Sequence, residues 1–88
     1  MTETYIDEPI TAQVRFAPGG SVQPVAFVWR ECTRYVAGLG RQWTEQVEGS
    51  DWRCFLAETT AGDTVELRWS RQTNEWRLRR AWWRETWA

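Results

Sequence analysis

Neither histidine nor lysine occurs among the 88 residues, and cysteine is limited to two. The missing histidine removes the side chain that most often serves as a general base near neutral pH and most often ligates metals. Cys32 and Cys54 then have no imidazole to activate them, and two thiolates leave a tetrahedral metal set two ligands short. Both are expected to be reduced, buried and slow to react, acting as small hydrophobes. No phosphate loop is present: Gly38-Leu39-Gly40 lacks the third glycine of a dinucleotide fingerprint, and Gly19-Gly20 reads as a turn. Glu31, Glu45, Glu48, Asp51, Glu58, Asp63, Glu66 and Glu75 show no paired spacing and read as solvated turn or strand-face residues. The expectation is a protein that is not an enzyme and takes no cofactor or metal.

Long apolar runs are also missing. Nothing approaches the roughly 18–20 consecutive apolar residues of a membrane helix, and the opening MTETYIDEPI is acidic. Neither a membrane partner nor export is expected, and the chain is assigned to the cytoplasm. The net charge of −1 singles out no partner, but its distribution is uneven. Residues 1–9 hold Glu3, Asp7 and Glu8 with no base, whereas residues 68–84 hold six arginines against Glu75 alone. All 11 basic residues are Arg, a bias that high-GC coding also produces, so the arginine excess is discounted. Residues 1–9 are read as a flexible acidic tail and residues 10–88 as a single β domain.

What the chain has in abundance is aromatic surface: eight Trp, three Phe and two Tyr. A chain this short buries only about 60–65% of the surface it exposes when unfolded, and each large ring covers about 150–250 Å². Aromatic residues must therefore build the core. Ile10, Ala12, Val14 and Phe16 alternate with polar neighbours, the period of a half-buried strand, and Pro18-Gly19-Gly20-Ser21 stops it. Val22 to Arg30 is apolar on both faces, as a central strand would be, with pairing expected to begin after Pro24. Cys32 to Ala37 is a third strand. Arg41 to Glu48 reads as a loop or a single helical turn, because Trp43 and Val47 stand four apart and Glu-Gly-Ser-Asp follows. Trp52 to Thr60 and Thr64 to Ser70 form a hairpin through Ala61-Gly62-Asp63, and Trp76 and Leu78 begin a last strand whose continuation over 79–88 is undecided. The prediction is an all-β fold: an antiparallel meander of five or six strands curled into a half-open roll or barrel.

One constellation could carry a function. Arg71, Arg77, Arg79, Arg80, Trp82, Trp83, Arg84 and Trp87 interleave guanidinium groups with indole rings near the C-terminus. Trp and Arg are the residues most enriched at interface hot spots, and more Trp is present than so small a core should bury. The first reading is a non-catalytic module, monomer or homodimer, that docks a Trp-rich face onto a protein partner. The alternative is single-stranded nucleic-acid binding, since aromatic faces stack on bases and arginine binds phosphate. Salt dependence separates the two, because only phosphate binding weakens steeply as salt rises.

Tyr5-Ile6-Asp7-Glu8-Pro9-Ile10, Phe27-x-Trp29-Arg30, Tyr35-Val36, Trp43, Trp52-Arg53, Gly62, Glu66-Leu67 and Trp76-Arg77-Leu78 together resemble a Trp-rich small-protein family of unknown function from high-GC bacteria. Similar segments close polymerase-like proteins of lesion-bypass cassettes. The resemblance covers residues 5–78, and the family pattern ends soon after the Trp-x-Leu strand, whereas this chain continues through Trp87. It implies no catalytic residues, and it implies an association with DNA repair or replication accessory functions; under the docking reading the unidentified protein partner is then expected among lesion-bypass or replication proteins.

Overall fold

The computed structural model describes residues 2–84, which contain six strands and no helix. The strands are β1 (Thr2–Phe16), β2 (Val22–Trp29), β3 (Cys32–Val47), β4 (Ser50–Thr59), β5 (Thr64–Ser70) and β6 (Trp76–Trp83). Each pairs antiparallel with the next, and β6 returns to β1, so the meander closes into a ring.

The ring is not a regular barrel, because its two longest strands change partner midway. β1 pairs with β6 over Thr2–Ile10 and with β2 over Thr11–Phe16. β3 pairs with β2 over Cys32–Tyr35 and with β4 from Val36 to Val47. A five-stranded sheet, β1-β6-β5-β4-β3, is thereby folded over a three-stranded one, β1-β2-β3. The core fills the space between them: Phe55, Ala57, Val65, Leu67, Trp76, Leu78 and Ala81 from the larger sheet meet Phe27 from the smaller, with Ile10, Ala12, Val22, Trp29, Trp69 and Trp83 around them. Adjacent cross-strand rows make this core, Phe55 opposite Leu67 opposite Leu78, then Ala57 opposite Val65 opposite Ala81. Trp76 stacks between Phe55 and Trp69, with ring centroids 5.7 and 6.0 Å away.

Four expectations change at this point. Residues 41–47 are strand, not a helical turn: Trp43, Glu45 and Val47 alternate with Gln42, Thr44 and Gln46, and the ladder to β4 satisfies backbone groups that one helical turn would leave unpaired. Glu48-Gly49, which reads as a breaker, is the two-residue hairpin turn itself, with both residues at positive φ (50° and 82°), the geometry that matches the twist of the flanking strands. Residues 2–9 belong to β1, where the sequence suggests a free tail. Thr2 to Tyr5 stay exposed, yet they face Trp83, Trp82, Ala81 and Arg80 in register. Backbone pairing that closes the ring holds them, a force that side-chain polarity does not report. β2 also pairs with β1 on both sides of Pro24, the ladder absorbing one extra residue by a bulge between Gln13 and Val14.

The cysteines separate as well. Cys54 is fully buried, whereas Cys32 is exposed, because it sits immediately after the Arg30-Glu31 hairpin turn. Burial, reinforced by Glu45 and Glu66, pushes the Cys54 thiol up to about 11. A thiol reagent at neutral pH is expected to label Cys32 quickly and Cys54 only on unfolding. Equal rates at the two positions, read by peptide mass spectrometry, would contradict this placement.

Candidate interaction surface

The face of the large sheet turned away from the core carries charge where the inner face carries rings. Its rows follow from the register: Trp43 opposite Cys54, Arg68 and Arg77; Leu56 opposite Glu66, Arg80 and Tyr5; Glu58 opposite Thr64, Trp82 and Glu3. Between the first two rows a bulge interrupts the β5–β6 register, Glu66 facing Arg80 while Leu67 faces Leu78. Arg79 is the extra residue, and the bulge lets Arg79 and Arg80 both turn to the outer face, although strict alternation would send one of them into the core. The opposing strand β1 is irregular at the same level, with Asp7 at φ 52°.

The arginines here are already engaged. Arg77 donates from Nε to an Asp7 carboxylate oxygen at 2.9 Å, from Nη1 to Glu75 at 2.7 Å and from Nη2 to the Asp7 carbonyl at 2.6 Å. Arg79 Nη1 lies 2.8 Å from Glu45 and 3.2 Å from Glu66, so this one side chain, starting on β6, ties β5 to β3. Arg80 reaches Glu66 at 3.3 Å and Glu3 at 3.7 Å, and Arg68 reaches Asp7 at 3.3 Å while its guanidinium lies 4.8 Å from the Trp52 ring centroid. Trp43 Nε1 donates to Glu45 at 3.0 Å. Glu66 is 6% exposed, so the network has an interior of its own. The buried Nε atoms of Arg68, Arg79 and Arg80 make no hydrogen bond within the described protein; ion pairing holds these groups, including the 3.3 Å approach of Arg80 Nε to Glu66, with the Arg68 guanidinium over the Trp52 ring and that of Arg80 over the Trp82 ring.

These contacts set the ionisation. Burial works against a charged Asp7, but the hydrogen bond and charge of Arg77, with the charges of Arg68 and Arg79, outweigh it and hold the carboxyl below its ordinary value. Glu45 is lowered by the Trp43 hydrogen bond and then, against burial, by Arg79. Glu8 is lowered by the Arg30 and Trp29 hydrogen bonds. Because the folded values are depressed, their stabilisation is complete above the unfolded carboxylate range of roughly 3.9–4.3 and is lost as pH falls through the lower folded values. With histidine absent, urea midpoints are expected to stay level from about pH 8 to pH 5 and to drop below about pH 4. A drop beginning near pH 6 would show that other groups govern acid stability.

The residues singled out in the sequence do not form one surface. Arg77, Arg79, Arg80 and Trp82 lie on the outer face. Trp83 turns inward and stacks on Trp29 at 5.6 Å, with the Arg34 guanidinium 5.0 Å from its ring, capping one end of the core. Trp29 Nε1 donates to Glu8 at 2.8 Å on that end. Arg84 is exposed beyond β6, its backbone N–H donating to Asp63 at 2.7 Å. Arg71 lies past the end of β5 and lines, with Arg53, Asp51 and Trp69, an open cavity of ≈ 360 Å³ at the opposite end of the core. Trp87 lies outside the described residues. The sequence reading missed Trp43, Trp52, Arg68, Glu45, Glu66 and Asp7, which complete the outer layer. The alternations Trp43-x-Glu45, Trp52-x-Cys54 and Glu66-x-Arg68 mark it once the inner-face residues are assigned to the core. Among the described residues no group of three or more His, Cys, Asp or Glu gathers as a metal site. Comparison with protein-family models, curated proteins and solved structures finds no match for this chain.

Proposed function

We propose that this protein is a non-catalytic interaction module that docks the outer face of its five-stranded sheet onto a protein partner. One observation carries the reading: the outer-face arginines that would recognise phosphate are occupied. Arg68, Arg77, Arg79 and Arg80 meet five carboxylates, those of Glu3, Asp7, Glu45, Glu66 and Glu75. A nucleic-acid backbone would have to displace these carboxylates against their own charge. A protein surface need not, because a neutralised, pre-ordered polar face flanked by the half-buried rings of Trp43, Trp52 and Trp82 loses little side-chain freedom on docking. The resemblance of residues 5–78 to segments of lesion-bypass proteins makes a replication or repair protein the partner class to test first.

Two measurements address the reading. Tryptophan fluorescence titrated with oligo-dT is expected to show no binding that weakens steeply with salt; such binding would favour the nucleic-acid alternative. Photo-crosslinkers placed at Trp43 and at Trp82 are expected to capture the same lesion-bypass or replication protein. Trp82→Ala should weaken that complex by about 1–2 kcal/mol or more while costing under about 1 kcal/mol of folding stability. Normal binding by a folded variant altered at both Trp43 and Trp82 would exclude this face.

A further inference from the structure

The partner change in β3 leaves an open sheet edge. From Val36 onward the strand pairs with β4 alone, and its other side has no register partner on β2, whose pairing ends at Ala26 opposite Tyr35. Residues 36–39, together with Gln42, line a cavity of ≈ 450 Å³ whose other wall is Arg15, Gln23, Pro24 and Val25, so the edge is flanked by protein along residues 36–39. A bulge between Leu39 and Gln42 separates that part from the rest. What remains is a regular strand over residues 41–47, ended by the Glu48-Gly49 turn. Unpaired N–H and C=O groups along such an edge are a template for another strand, and soluble proteins normally cover them or block them.

We infer that this edge pairs with the same edge of a second copy, antiparallel about a two-fold axis through Trp43. A two-fold interface must be self-complementary, and residues 41–45 meet that condition. Centring the pairing on Trp43 places Trp43 opposite Trp43 of the second copy, Arg41 opposite its Glu45, Glu45 opposite its Arg41, and Gln42 opposite its Thr44. Both charged pairs are opposite in sign and lie on the outer face, which is where opposed strands bring side chains into contact. Moving the axis by half a residue sets Arg41 against Thr44 and Glu45 against Gly40 in one direction, or Arg41 against Gln46 and Glu45 against Gln42 in the other, so the charges themselves select the register.

The two charged residues are available for this contact. Arg41 is exposed, makes no ion pair among the described residues, and lies over its own Trp43 ring at 5.2 Å. Glu45 accepts one hydrogen bond on each oxygen, from Trp43 and from Arg79, and a carboxylate has about four acceptor sites in all. The dimer would join two five-stranded sheets edge to edge and make their outer faces continuous. It does not depend on the docking proposed above, since a monomer could dock and a dimer could exist without docking.

Sedimentation equilibrium of the full chain from low to high micromolar concentration tests the proposal. Wild type is expected to reach the dimer mass. Arg41→Glu sets Glu against Glu twice and Glu45→Arg sets Arg against Arg twice, so each variant alone should self-associate at least about tenfold more weakly. Mixed in equal amounts the two variants regain opposite charges in both pairs, and the mixture should dimerise again. If loss of the Arg79 contact prevents Glu45→Arg from folding, hydrogen exchange replaces the mixing arm: wild-type amides within residues 41–47 should gain protection as concentration rises, and those of Arg41→Glu should not. Monomeric wild type at all concentrations, undiminished association by Arg41→Glu, or protection independent of concentration would each overturn the inference.

Discussion

Trp76→Ala is expected to cost about 3–5 kcal/mol, the usual penalty for emptying a large aromatic site. Trp76 is 6% exposed, lies between Phe55 and Trp69, and adjoins the inner row of Phe55, Leu67 and Leu78. Surrounding side chains cannot collapse into the space, because strands on both sides of β6 fix their backbones. Natural domains of this size have total stabilities of about 4–13 kcal/mol, so the variant should be partly or wholly unfolded at ordinary temperature. Trp82→Ala removes an equal ring from the outer face and should cost under about 1 kcal/mol. Urea unfolding of the two variants checks the assignment. Comparable losses would mean that the two faces of the large sheet are not energetically distinct.

Sequence periodicity can reveal which residues share a face but not which face turns inward when both faces carry rings. That limit explains what was legible here. The β5 alternation and the Ala61-Gly62-Asp63 hairpin are local features, and both appear in the structure as read. The inward turn of Trp83 is not local. It depends on the Arg79 bulge, which shifts the alternation of β6 by one residue and is visible only against the register of β5 and β1. Ring closure is likewise set by a pairing between the first strand and the last, so the polar residues Thr2, Glu3 and Thr4 gave no sign of it. Arginine posed a similar difficulty. A run of Arg at 77, 79 and 80 looks available for phosphate until topology brings Asp7, Glu45 and Glu66 from β1, β3 and β5 to the same guanidinium groups.

Glu66→Ala tests whether that charged layer has structural weight. The carboxylate is 6% exposed and lies against Arg79 and Arg80, which are 22% and 29% exposed. Removing one member of a fully buried ion pair costs roughly 3–5 kcal/mol, because the remaining charge has no partner. Here the guanidinium groups can partly reach water, and Arg79 retains Glu45 while Arg80 retains Glu3, so a smaller loss of about 1–3 kcal/mol is expected. Glu66→Gln, which keeps the shape and one acceptor, should fall between Ala and wild type. Glu3→Ala removes a carboxylate that is 53% exposed and should change stability by no more than about 0.5 kcal/mol. Urea denaturation at neutral pH, repeated at high salt, distinguishes the cases: the Glu66 loss should persist because screening penetrates buried pairs poorly. A neutral Glu66→Ala would show that water can replace the carboxylate without cost. The arginines would then be as free for phosphate as their sequence suggests, and the argument for a pre-ordered protein-docking face would lose its physical basis.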